Sequence, residues 1–250
     1  MELIYTKEQF ELSCEIRAWL ETHVPASQLA SFDTKDGFEQ HRHWEATLSR
    51  GRWSAVTWPK EYGGRDLDLI EWLIFEEEYY RANAPGRVNQ NGIFLLGSTL
   101  IEFGSSEQKT RFLPPMARGE EIWAQAWSEP QAGSNLAALQ ATARRDGDTY
   151  VLRGHKFWSS RAVLADWAFG LFRSEMGSTR HRGLSFILFP LKAAGVRISP
   201  ITQIDGEAGF AEIFLEDLRV PHNQRLSERV HTGWLGPDQT FVARDPVHAH

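Results

Sequence analysis

One cysteine, Cys14, stands among the 250 residues. A single thiol can neither close an internal disulfide nor supply a thiolate cluster for zinc, so the natural setting is a reducing compartment. Cys14 falls inside a helical pattern and is expected to pack there. Surplus basic charge is also missing: 27 lysines and arginines face 33 aspartates and glutamates, a formal charge of -6. With no cationic surface to meet phosphates, nucleic acid is not the expected partner. Long apolar runs are absent too, and no window approaches the roughly 20 apolar residues of a membrane-spanning helix. The N-terminus, MELIYTKEQFE, has neither a signal peptide's apolar core nor a transit peptide's arginine-rich, acid-poor character. A soluble, cytoplasmic protein without an integral membrane segment is expected. The nine histidines show no metal-ligand spacing, since His41 and His43 fall two apart on a predicted helix and face different sides.

What is present is a globular composition, 42% hydrophobic, with ten tryptophans that must be placed against something flat or apolar. The chain divides into two halves with different periods. Up to Glu121 the spacing is helical. Thr6 and Gln9 form a capping box ahead of Leu12, Ile16, Trp19 and Leu20, and Val24-Pro25 ends that helix. His41, Trp44 and Leu48 make a second helix ended by Gly51. Leu69, Leu73 and Ile74 begin a third that runs through Glu76-Glu77-Glu78, read as a solvated acidic face, and ends near Pro85. Ile93, Leu96, Leu100 and Phe103 form a fourth, ended by Gly104. Ser105 and Gln108 then cap a segment that leads to a break at Pro114-Pro115. From Ile122 the segments IWAQAW, LQATARR, TYVLRGHKFW, WAFGLF, LSFILFPL and AEIFLEDLRV are short, rich in β-branched and aromatic residues, and bounded by turn residues. Asp146-Gly147 predicts a hairpin within 139–158. The expected class is α+β, an N-terminal all-α helical domain over 1–121 followed by an antiparallel β-barrel or sandwich over 122–233, with 234–250 as a short tail.

Two stretches of the β half carry candidate chemistry. In AWSEPQAGSN, Pro130 removes an N–H and Gly133 loosens the backbone, so the strand ending at Trp127 must turn. Exposed amides beside Ser128 and Ser134 suit a phosphate or the polar edge of a planar ring; an ordinary corner whose serines bond their own backbone is the alternative. In HKFWSSRA, Trp158 offers an indole face and Ser160, two residues on, points to the same side of a strand. An isoalloxazine ring could stack there, or Trp158 could fill the barrel.

SEPQAGSN and GHKFWSS resemble two signatures of the acyl-CoA dehydrogenases. WPKEYGGRDL, EFGSSEQKTRFLPPMARGE, ATARRDGDTYVLRGHK and AEIFLEDLRVP follow the family's order, and the resemblance runs to Trp234. It implies FAD as cofactor, an acyl-CoA substrate, an electron-transfer flavoprotein as acceptor, and a homo- or hetero-oligomer. Trp127 and Ser128 would lie against the flavin, with the Ser128 hydroxyl near its pyrimidine edge. Gly133 and Ser134 would face the FAD pyrophosphate and the path of the acyl-CoA thioester arm, making Ser134 a substrate contact as well. Trp158 would flank the ring system, and Ser160 would bond near the reactive flavin nitrogen. In the family a carboxylate takes the α proton while the β hydrogen leaves as hydride, giving a trans-2-enoyl-CoA.

The sequence departs from the family at three places. Asn135 replaces a usual aspartate, and either side chain can cap the backbone that follows. Arg161 replaces an asparagine or small residue and is expected in solvent. After HTGWL, the segment GPDQTFVARDPVHAH breaks any helix with Gly236, Pro237 and Pro246, where the family continues into a helical bundle that supplies its carboxylate. A reading frame truncated or shifted after Trp234 is the expectation, and the catalytic residue is left unknown. Glu129, the tempting carboxylate, is expected to brace the corner by accepting backbone hydrogen bonds. The helical half most resembles relatives acting on bulky acyl-CoAs such as steroid side chains. A partner-dependent, non-catalytic subunit and a related flavin oxidase or monooxygenase are the rival functions.

Overall fold

The computed structural model describes residues 5–175, 177–178 and 182–226. The tail after Trp234, and with it the expected frame shift, lies outside the described residues.

Among the described residues five α-helices come first: α1 (Lys7–His23), α2 (Lys35–Arg50), α3 (Leu69–Arg81), α4 (Ser98–Phe103) and α5 (Ser106–Ala117). Capping boxes start three of them, at Thr6 and Gln9, Asp68 and Glu71, and Ser105 and Gln108. α1 and α3 pack through Ile16, Leu20, Ile74 and Phe75, which share a core with Trp44, Trp53 and Tyr79. Cys14 does not join that core. It lies on the exposed side of α1, and its neighbour Ser13 faces inward to donate to Glu78. Glu78 is not on a solvated face either. It is buried between α1 and α3, where hydrogen bonds from Arg17 hold its carboxyl below the usual range against the opposing effect of burial. Glu76 is half-buried, and desolvation raises its carboxyl.

Residues Asn91–Gly97 form a π-helical turn that leads directly into α4. The Pro114-Pro115 pair does not break α5, which continues to Ala117. Proline's fixed φ is helical, and the loss falls on two N–H groups near the helix end, while buried Leu113 and Met116 hold the last turn in place.

Seven strands follow among the described residues: β1 (Trp123–Ala126), β2 (Thr142–Asp146), β3 (Thr149–Ser160), β4 (Trp167–Arg173), β5 (Leu184–Pro190), β6 (Val196–Ile201) and β7 (Phe210–Pro221). They form one curled mixed sheet of order β1-β4-β2-β3-β7-β6, with β5 on β4. Four of the pairings are antiparallel; β1 runs parallel to β4, and β2 meets β4 in parallel at one residue pair. Gly147, at a φ of 60°, closes the β2–β3 hairpin.

Each face of β4 and β5 is covered. Ala168, Phe172, Ile187 and Phe189 face the inside of the curl. Phe169, Leu171, Phe186 and Leu188 meet Ile93, Leu96, Phe112 and Met116 from the helices. Burial on both sides explains why LSFILFPL is a continuous apolar run rather than an alternating one. β6 escaped the sequence pattern because it is an edge strand. It is nowhere fully buried, and it carries Pro200, which a ladder tolerates only at an edge.

The helical and β parts are joined by a buried polar hub. Arg87 donates to both carboxylate oxygens of Glu45 and to the Ser54 carbonyl; the two charged side chains are 7% and 0% exposed. Asn89 donates to the carbonyls of Met116 and Glu121 and accepts from the Trp123 amide, so the end of α5 and the start of β1 share one side chain.

Gly37, in the first turn of α2, has no room for a side chain. A Cβ there would stand 2.0 Å from the Ser31 carbonyl oxygen. Alanine's helix propensity gains about 1 kcal/mol, but a clash with backbone cannot be relieved by a rotamer change. Gly37→Ala is therefore expected to lower stability by about 1–3 kcal/mol in chemical unfolding, and an unchanged or raised midpoint would contradict the packing described.

Candidate functional site

The corner after β1 is a tight turn with Pro130 at its second position. The Glu129 amide donates to the Ala132 carbonyl and the Ala132 amide to the Glu129 carbonyl, both at 3.0 Å. Gly133 and Ser134 then stand exposed. Gly133 is not in the left-handed region, so its backbone does not require glycine. A Cβ at that position would meet nothing within 4 Å. The lack of a side chain therefore leaves open space outside the protein. Asn135 precedes the short 3-10 turn Leu136–Ala138 but makes no side-chain cap, which corrects the expected role.

Glu129 braces this corner as expected. Its carboxylate, 4% exposed as a residue, accepts from the amides of Gln140 at 2.7 Å and Ala141 at 3.0 Å and from Gln131 Nε2 at 3.1 Å. Its fourth partner was not anticipated. Lys156 is fully buried, and its ammonium lies 2.9 Å from Glu129 Oε1, 2.7 Å from the Leu171 carbonyl and 3.4 Å from that of Trp127. Burial pulls this lysine down to about 8, against the opposing pull of Glu129. The signal was legible: a lysine inside the aromatic strand segment HKFW is costly to bury without a carboxylate, and Glu129 is the carboxylate of the neighbouring motif.

The second stretch ends β3. The Phe157 amide donates to the Ser128 carbonyl at 2.8 Å, which ties the corner to this strand. Between the pairs Lys156–Ile213 and Ser159–Ala211, β3 holds one residue more than β7. At that bulge Trp158 adopts a φ of 57°, a conformation that costs a bulky residue of order 1–2 kcal/mol. Strict alternation would have put Trp158 on the side of buried Lys156. The bulge instead turns it outward, and among the described tryptophans Trp158 alone is exposed, at 53%. It does not fill the barrel; its ring stands edge to face with Phe157 and Phe210, at 5.1 and 5.5 Å. Ser160 is half-buried on the same strand. Trp127 is half-buried with its ring edge-on to Phe169. None of the hydroxyls of Ser128, Ser134 and Ser160 bonds a partner among the described residues, so the serines are not satisfying their own backbone.

Arg161 is not in solvent. Its side chain is 21% exposed, its Nε lies 3.3 Å from Asp33 Oδ1, and its guanidinium stacks 4.0 Å from the Phe32 ring centroid. Burial lowers its basicity against the pull of Asp33. Arg161 thus pins the α1–α2 connection to the end of β3, within three residues of Trp158. Phe32 and Asp33 also line a cleft of about 990 Å³ between that connection and residues 80–86. His41 closes its floor, with Nδ1 at 2.7 Å from the Gly86 carbonyl and Nε2 at 3.1 Å from that of Ala30, while His43 is exposed on another face.

An exposed indole, three unbonded hydroxyls and a side-chain-free patch of backbone, on two segments bonded to each other, fit the edge of a planar, hydrogen-bonding cofactor. Residues 6–120 match the acyl-CoA dehydrogenase N-terminal domain, and residues 124–218 match the acyl-CoA dehydrogenase middle domain. The chain belongs to the acyl-CoA dehydrogenase family. It is 44% identical over 216 residues to acyl-CoA dehydrogenase IpdE1 of Mycobacterium tuberculosis, an alignment covering 84% of this chain and 56% of that protein. It is 34% identical over 241 residues to FadE26 of the same organism, covering 94% of this chain and 59% of the relative. The chain therefore spans a little over half the length of these relatives. Among solved structures, the ChsE4-ChsE5 complex from Mycobacterium tuberculosis superposes with a TM-score of 0.80 at 34% identity, over 94% of this chain and 60% of that one. The Tcur3481-Tcur3483 steroid ACAD does so with a TM-score of 0.79 at 31% identity, over 91% and 59%. No described helix is long and apolar enough to cross a membrane.

Proposed function

We propose that this chain is the flavin-holding part of an FAD-dependent acyl-CoA dehydrogenase that forms the α,β double bond of a bulky acyl-CoA thioester. The observation that carries the reading is the outward-turned Trp158 beside the unbonded hydroxyls of Ser128 and Ser160. FAD, when bound, would supply the hydride acceptor. Trp158 and the exposed half of Trp127 would present flat apolar surface to the ring system. Ser128 and Ser160 would donate to its polar atoms, and Gly133 and Ser134 would leave backbone accessible to its phosphates and to the thioester arm. An electron-transfer flavoprotein is the expected electron acceptor.

A second, compatible reading is that the chain works as one subunit of a hetero-oligomer. Two of the similar structures carry paired names, ChsE4-ChsE5 and Tcur3481-Tcur3483, and the latter is called a steroid enzyme. A partner would also be a source for the catalytic carboxylate, for which this chain has no assigned residue.

The test is a visible absorbance spectrum of the purified chain titrated with FAD, alone and with a co-expressed homologous subunit, followed by anaerobic addition of short-chain and steroid-side-chain acyl-CoAs. The expected result is flavin binding, with bleaching by the bulky thioesters and not by the short ones. Flavin binding without bleaching under either condition would leave a cofactor-holding subunit and remove the dehydrogenase activity. Peroxide release in air at the rate of turnover would instead mark an oxidase.

A further inference from the structure

We propose that Lys156 and Glu129 are the positioning pair of the flavin site, holding the 127–134 corner and the Trp158 strand in the one relative placement that admits the cofactor. The inference rests on the flavin reading above.

Lysine has three N–H donors, and all three acceptors in reach of Lys156 Nζ belong to different places: the Glu129 carboxylate in the corner, the Trp127 carbonyl just before it, and the Leu171 carbonyl in β4. Glu129 carries the connection onward, through the Gln140 and Ala141 amides, to the segment entering β2. One buried ion pair therefore joins the corner, β3, β4 and the approach to β2. On the other side of the same strands lie the candidate cofactor contacts. Ser128 precedes Glu129 by one residue, and Trp158 follows Lys156 by two. The bulge that turns Trp158 outward begins at Lys156 itself. The Phe157–Ser128 hydrogen bond alone would leave the corner free to pivot about one point. The ion pair supplies the second point of attachment.

Replacement by an apolar pair of similar volume would keep the packing and often costs little stability, so a pair retained solely for stability is poorly explained. What the charges add is direction, because Nζ must point at three acceptors at once. Among the described residues Glu129 is the charged group acting on Lys156, and the Phe172 ring lies 4.9 Å from the ammonium. Burial pulls the Lys156 ammonium down to about 8, against the pull of Glu129, which puts the weakening of the pair in a mildly alkaline window. The sign follows: with the cation present below about 8 and lost above it, flavin affinity falls as pH rises from 7 to 9.

The experiment is titration of the full chain with FAD, followed by flavin fluorescence, at pH 7 and pH 9. It is carried out for the wild type, Glu129→Gln, Lys156→Met and the double variant, with unfolding of each measured without flavin. The expected result is a rise in wild-type Kd from pH 7 to pH 9 of several-fold, with about tenfold as the ceiling for one group titrating near 8, while the unfolding midpoint without flavin holds or rises. Each single variant binds at least tenfold more weakly at pH 7 and loses the pH step, and the double variant is no weaker than the singles. If the variants fail to fold, the wild-type pH step decides alone. A wild type whose affinity is flat between pH 7 and 9, or folded variants that bind as wild type, overturns the positioning role and leaves the flavin reading intact. A wild type that binds no FAD at either pH overturns both.

Discussion

Replacing Arg87 by methionine is expected to lower folding stability by about 3–5 kcal/mol and to shift the thermal midpoint down by about 10 °C. The cost comes from what the substitution leaves behind. Glu45 is fully buried, and Arg87 meets both its carboxylate oxygens, so the variant strands a carboxylate in the interior with the Asn89 amide as its remaining hydrogen-bond donor. The Ser54 carbonyl loses its donor as well. Desolvation pulls the guanidinium's basicity down, and Glu45, with smaller help from Tyr79 and Glu76, more than restores it, so Arg87 stays charged throughout the range in which the protein would be studied. The double variant Glu45→Leu/Arg87→Met should recover part of the loss, because removing both charges leaves none unpaired. Chemical unfolding of the two single variants and the double one tests the claim. A double variant as unstable as the sum of the singles would show that the pair is not a unit.

The helical half was legible because its cues are local. Thr6 and Gln9, and Ser105 and Gln108, lie three residues apart and bond each other as the spacing predicted. The β half was legible as strands but not as a sheet. Nothing local announces that β1 runs parallel to β4 or that β6 forms the edge. Two of the errors share a cause. Glu78 and Arg161 were judged by residue type, whereas their burial is decided by partners far away in the sequence: Glu78 by Arg17, and Arg161 by Asp33 and Phe32; Cys14 was judged by its helical pattern, and its neighbour Ser13 takes the inward position. The corner was recognised for its turn and its serines. Its brace was found only in part, because Lys156 lies 27 residues beyond Glu129 and acts on it through the interior. Strand alternation also failed at Trp158, where one extra residue reverses the face.

Trp158→Gly is expected to separate function from stability. The substitution removes an exposed ring held at a φ of 57°, which glycine adopts without strain. Relief of about 1–2 kcal/mol of backbone strain offsets the loss of two edge-to-face contacts worth about 0.5–1.5 kcal/mol each and the greater chain entropy of glycine when unfolded. Net stability should therefore stay level or fall by up to about 3 kcal/mol. Flavin affinity, on the proposed reading, should fall as well. Covering roughly 100 Å² of indole at about 25 cal/mol per Å² contributes about 2.5 kcal/mol, which is a loss of some fifty- to hundredfold in Kd. Trp158→Phe should fall between, since it keeps a smaller flat surface but also keeps the strain. Parallel measurement of the unfolding midpoint and of FAD affinity for the three proteins decides it. A glycine variant that is much less stable yet binds flavin normally would make Trp158 a structural residue and move the cofactor elsewhere. The backbone strain at Trp158 cancels much of what its ring gives the fold, while half of that ring faces outward, and the neighbouring hydroxyls of Ser128 and Ser160 mark where an outside contact would lie.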